Sequence, residues 1–104
     1  MKFARGYILA AILVDRRKPV LWITLSRMYY DNGNYPAATV CVEITDLLHP
    51  GLPVVKQARA SLQTDPQAGS IRQASQKERA IEIIESLDEV TSVNELVALI
   101  EIAR

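Results

Sequence analysis

Prolines, glycines and capping residues cut this chain into segments no longer than one short helix each. Pro19 sits where a helix can begin, since its missing N–H has no intrahelical partner there. Asn32-Gly33 supplies a stop, because glycine accepts the left-handed conformation that closes a helix. Asn34 can cap the helix that follows, with Pro36 tolerated in its first turn, and Pro50-Gly51 ends it before Pro53 opens another. Between these marks, apolar residues recur three and four apart. Phe3, Tyr7, Ile8, Ala11, Ile12 and Val14 predict one helix, ended by Asp15 to Lys18, and Leu21, Trp22, Leu25, Met28 and Tyr29 predict a second over Pro19 to Asp31.

Between Ala38 and Leu48 the local evidence divides. Thr39-Val40-Cys41-Val42-Glu43-Ile44-Thr45 is rich in β-branched residues and alternates as a strand does. The flanking cap and stop signals favour a helix of ordinary length. Further on, Pro53 to Leu62 reads as a short helix, and Thr64 to Ser70 reads as a polar loop containing Asp65-Pro66 and Gly69. Ser75-Gln76-Lys77-Glu78 and Ser92-Val93-Asn94-Glu95 each have the form of a capping box before an apolar run, which predicts a C-terminal helical hairpin turning near Val90-Thr91. No glycine-rich phosphate loop and no strand–turn–helix pattern for a nucleotide is present in the sequence.

The 104 residues suffice for one hydrophobic core, and 49% apolar with 23% charged residues is the balance of a globular domain. One cysteine, Cys41, excludes an internal disulfide and any zinc site needing two thiolates, and one histidine, His49, excludes chemistry needing two. The apolar run Tyr7 to Val14 is too short for a membrane span of ~20 residues, and Asp15-Arg16-Arg17-Lys18 stands where a signal cleavage site would be. A cytoplasmic location is therefore expected. Twelve basic and twelve acidic side chains cancel, yet they are not mixed. Residues 1 to 27 hold six bases and one acid, a net +5, and residues 78 to 104 hold seven acids and two bases, a net −5. Opposite poles point to ends that pack together, to chains that associate head to tail, or simply to two ordinary exposed faces, since exposed ion pairs contribute little.

Seven residues around Asn32-Gly33 share a spacing. Trp22, Leu25 and Tyr29 precede the turn, Gly33 and Tyr35 flank it, and Ala38 and Pro50 follow. Their pattern resembles the tetratricopeptide repeat, a helix–turn–helix unit of about 34 residues. Ser26, Val42 and Thr45 depart from that family's usual glycine, aromatic and alanine, without being incompatible with a packed helix pair. Ala4 and Ala11 fit the second helix of a preceding half-repeat. The resemblance implies a helix over Ala38 to Leu48. It also implies an all-α fold: a short antiparallel helix-hairpin array, a solenoid fragment, capped by the C-terminal hairpin. The expected organisation is repeats over 1–63, a polar loop over 64–74 and the hairpin over 75–104.

In the resembling family, the first helix of each repeat lines a concave groove that receives a peptide or a partner's helix. The corresponding positions are Val20, Ile23, Thr24, Arg27, Tyr30 and Asp31. Ile23 and Arg27 are the wrong types for the Lys/Asn/Arg clamp by which some relatives hold the acidic C-termini of heat-shock proteins. An apolar groove beside one cation suits an amphipathic helix better. Other candidates have plainer readings. His49, three residues after Asp46, lacks an accompanying nucleophile motif and fits a helix C-terminus. Cys41 fits a small packing residue, and Glu82, Glu85, Asp88 and Glu89 fit a solvated face. The last helix, with Glu95 and Glu101 against Arg104, has the wrong sign for nucleic acid. The expectation is a non-enzymatic protein-interaction module without cofactor or metal, binding another protein or a further copy of itself but neither nucleic acid nor membrane. The alternatives are a small chaperone shielding an export or assembly client, and a regulatory or assembly subunit of a larger complex.

Overall fold

A computed structural model describes residues 2–65 and 73–101, which form six α-helices and, among the described residues, no strand. They are α1 (Lys2–Val14), α2 (Pro19–Asp31), α3 (Tyr35–Leu48), α4 (Pro53–Thr64), α5 (Gln73–Ser86) and α6 (Val93–Glu101), with a single 3-10 turn, Leu87–Glu89, between the last two. The fold is all-α. Pro19 and Pro53 are the first residues of α2 and α4, and Gly33 closes α2 at φ +80°. There the N–H of Gly33 donates to the Tyr30 carbonyl at 3.0 Å and that of Asn34 to Tyr29 at 2.9 Å, satisfying carbonyls that the helix end leaves open. The Asn34 side chain then accepts from the Ala37 N–H at 3.4 Å and starts α3.

α3 is the centre of the molecule. Residues Ala37 through Thr45 are all buried, and α2, α4, α5 and α6 all pack against this helix. That burial resolves the divided reading of the segment. A helix enclosed on every side carries apolar residues around its whole circumference, so it loses the 3.6-residue rhythm and its β-branched run resembles a strand. Its two threonines are satisfied locally: Thr39 Oγ1 donates to the Tyr35 carbonyl at 2.9 Å and Thr45 Oγ1 to the Cys41 carbonyl at 2.8 Å. α2 forms an antiparallel hairpin with α3 and seals it with Trp22, Leu25 and Tyr29, none of which reaches solvent.

The two charged poles meet within the chain. α1 packs against α2 and α6, and the turn after it docks on the 3-10 segment. There Arg16 donates through Nη1 to the Leu87 carbonyl and through Nε to the Leu13 carbonyl at 3.2 Å. Arg17 reaches Asp88 at 3.1 Å, while the Trp22 indole N–H donates to the Arg16 carbonyl at 2.8 Å. The Tyr29 hydroxyl also donates to Glu101 in α6, at 2.7 Å. Head-to-tail association is not needed to bring these poles together.

Two boundaries differ from the sequence reading. α4 continues to Thr64, two residues past Leu62, because Thr64 Oγ1 folds back onto the Ala60 carbonyl at 2.9 Å. α5 is helical from Gln73, so Ser75 lies inside the helix rather than at its cap, and Gln73 and Ala74 belong to the helix rather than to the 64–74 loop. Residues 66–72 of that loop, together with Arg104, lie outside the described residues. The second box forms in part: the Glu95 N–H donates to Ser92 Oγ at 3.2 Å, while the Glu95 carboxylate accepts from the Thr91 and Ser92 hydroxyls at 2.6 and 3.5 Å in place of the Ser92 N–H.

Candidate functional site

α2 and α4 stand on one flank of α3 without closing on each other, and an open groove of about 740 Å³ runs between them. One wall is α2, with Ile23, Thr24, Arg27, Tyr30 and Asp31. Ser26 and Met28 also line it, and Ala38 and Val42 of α3 form the floor. The opposite wall is α4, through Val54, Gln57, Ala58, Ser61 and Leu62. Five of the six residues expected at a partner groove are thus brought together. Val20 is not among the lining residues, although it is 60% exposed at the start of α2. The α4 wall was absent from the sequence reading. Its signal was the spacing of Val54, Gln57 or Ala58, and Ser61 or Leu62, which marks one helical stripe.

Polar contacts set the geometry of this groove. The Tyr30 hydroxyl donates to Asp65 at 2.6 Å, tying the C-terminal end of α2 to that of α4, and its ring meets Tyr35 edge-on at 5.4 Å. On the far side of α4, Arg59 clamps the wall to α3. Its Nε and Nη2 donate to the two carboxylate oxygens of Glu43 at 3.1 and 2.7 Å, and Nη2 also reaches Asp46 at 3.1 Å. Glu43 is the single charge in the buried run of α3, and this fork supplies both of its oxygens with donors.

The remaining candidates take structural positions. Asp46 turns to Arg59, and His49 is the exposed C-cap of α3, whose N–H donates to Thr45 at 3.0 Å. Glu82, Glu85, Asp88 and Glu89 are exposed, and the Arg17 guanidinium holds the Asp88 carboxyl below the usual carboxylate range. Among the described residues no group of three His, Cys, Asp or Glu could hold a metal ion, and no helix is long and apolar enough to cross a membrane. Cys41 is enclosed within α3.

Burial pushes the Cys41 thiol up, and the hydrogen bond to Asp65, followed by partial desolvation, raises the Tyr30 phenol. Both shifts favour the neutral form in the folded chain. Their contribution to stability is complete below the unfolded values, about 8.5 for Cys and 10 for Tyr, and is lost as pH rises through the folded ones. The urea midpoint should therefore fall between pH 9 and 11. A midpoint unchanged across that interval would contradict both assignments. In the same preparation at pH 8, a disulfide reagent should modify native Cys41 at least ~100-fold more slowly than in guanidinium, because the thiol is reached only through opening of the core.

Comparison with protein-family models, with curated proteins and with solved structures finds no match to this chain.

Proposed function

We propose that this chain is a non-enzymatic protein-interaction module, and that the groove between α2 and α4 seats an amphipathic helix or peptide of a partner protein. The observation that carries this reading is the groove itself. It is open and apolar along Ile23, Val42, Val54 and Leu62, and polar at its rim through Arg27, Gln57 and Asp31. The resemblance of the α2–α3 hairpin to a tetratricopeptide repeat supports the same use of the same face. The short side chains of Ser26 and Ala38 in and beside the floor leave room for a helix backbone to approach.

The test uses a displayed library of helical peptides selected on the intact chain. Peptides so obtained should shift the amide resonances of Ile23, Arg27, Ala58 and Leu62. Ser61→Arg, which places a long side chain in the groove from an exposed position, should weaken them about tenfold or more while leaving helicity unchanged. Selected peptides that map elsewhere, or that bind Ser61→Arg equally well, would exclude the groove.

A second reading, an assembly subunit of a larger complex, is favoured by α1. Its inner face places Leu9 and Ile12 in the core, while Tyr7 and Val14 on the opposite side are 76% and 88% exposed. A helix apolar on both faces is ordinarily covered on both. Co-purification in fixed stoichiometry, lost on Tyr7→Glu, distinguishes this reading from the groove.

A further inference from the structure

A second groove, of about 560 Å³, lies between α5 and α6 and is separate from the one above. Its floor is apolar: Ile83 and Val90 are each 3% exposed, with Leu99 half-buried beside them. Three exposed carboxylates, Glu82, Glu89 and Glu95, stand around it. Arg79 also lines it, but that guanidinium is already committed. It donates to the Leu99 and Ile100 carbonyls at 2.9 and 3.2 Å and to Gln76 at 3.2 Å, where it offsets the negative end of α6. Glu95 is held by Thr91 and Ser92, whereas Glu82 and Glu89 form no ion pair among the described residues.

An apolar floor inside an acidic rim defines its complement. We propose that this groove docks a basic amphipathic helix of a partner protein. Apolar side chains of that helix lie over Ile83 and Leu99, and its Lys or Arg side chains reach Glu82 and Glu89. Covering the floor removes water from beside the carboxylates, and ion pairs that contribute little on an open surface strengthen as the surrounding dielectric falls. The chain's own basic pole is a poorer occupant. Arg16 and Arg17 are engaged by Leu87 and Asp88 within the molecule, so a second copy that keeps those contacts has, among the described residues of that pole, only Lys18 and Arg27 exposed to supply the charge.

The experiment titrates the full chain, followed by amide resonances, with a peptide of about 18 residues built from Leu, Lys and Ala with leucine at helical spacing. The same peptide with Glu in place of Lys serves as the comparison. Shifts should centre on Ile83, Val90 and Leu99, and binding should weaken as salt is raised. The double variant E82Q/E89Q should weaken binding by about tenfold or more. The double variant E78Q/E85Q removes the same charge from exposed positions of α5 outside the groove, and should weaken it by less than about threefold. Equal losses in the two double variants would overturn the proposal by reducing it to net charge. Shifts confined to the α2/α4 groove, or equal binding of the Glu peptide, would overturn it as well. So would a mass that doubles with concentration and is restored to the monomer by E82Q/E89Q, since the occupant would then be this chain.

Discussion

Arg59→Met should lower the stability of the chain by about 3 kcal/mol, although Arg59 lies on a surface helix and its side chain is 31% exposed. The loss arises at Glu43, whose side chain is 4% exposed and whose two oxygens both rely on the Arg59 fork. Methionine preserves most of the aliphatic stem that packs beneath the guanidinium, so the substitution isolates the charge. The Glu43 carboxylate left in the enclosed run of α3 then loses the donors of both its oxygens without gaining water in their place, which is unfavourable. The double variant Glu43→Leu with Arg59→Met removes both charges and should return to within about 1 kcal/mol of the parent. Urea denaturation of the two single variants and the double completes the cycle. Losses that simply add would show that the two residues are not coupled. The expected effect extends to the partner groove, because the clamp fixes the α4 wall: Arg59→Met should weaken peptides selected on that groove even where the chain remains folded.

Trp22→Ala should be the more damaging substitution, at about 4 kcal/mol, enough to leave much of a domain of ordinary stability unfolded at 37 °C. The indole is fully enclosed, and its N–H holds the Arg16 carbonyl in the turn that docks on Leu87 and Asp88. Truncation therefore opens a cavity and releases the junction of the two poles together. Trp22→Phe separates these effects. It keeps most of the apolar area but leaves the Arg16 carbonyl without its donor, and should cost about 1–2 kcal/mol. Thermal unfolding of the two variants, read by helicity, checks the order. A phenylalanine variant as unstable as the alanine one would mean that the hydrogen bond, not the packing, dominates at this position.

Legibility in the sequence followed the locality of the signal. The ends of α2 and the start of α3 depend on a few neighbouring residues, Pro19, Asn32, Gly33, Asn34 and Pro36, and these could be read directly. The Ser92–Glu95 cap is equally local, and its Ser92 half formed, with the Glu95 carboxylate turned to the Thr91 and Ser92 hydroxyls. Ser75 shows the limit: its spacing to Glu78 fits a cap, but helix formers before it let α5 begin by Gln73. α3 was ambiguous for the opposite reason. Its character comes from four helices packed around it, and complete burial erases the periodicity by which a helix is recognised. The α2 side of the groove could be named because one helix carries it, whereas the α4 side depended on how two distant segments meet. The Arg59–Glu43–Asp46 clamp spans that same junction, and no spacing along the chain announces it. The acidic and basic poles stood in between, since composition revealed them but could not decide whether they would close within one chain.

The contacts of Arg16 and Arg17 with Leu87 and Asp88 join residues 71 positions apart, and they impose an order on synthesis. As the chain leaves the ribosome, the α2–α3 hairpin can form from neighbours, but α1 meets its second support only when the 3-10 turn and α6 have emerged. At roughly 5–20 residues per second that interval is roughly 4–14 s. Throughout it, Leu9 and Ile12 stand without their full cover, and so do the surfaces of α3 that α5 and α6 will bury. The nascent chain therefore passes through a stage in which the α2–α3 hairpin is complete while the faces of α1 and α3 that α5 and α6 will cover are still open. Chaperones acting on nascent chains would meet this protein at that stage, before either of its grooves exists in final form.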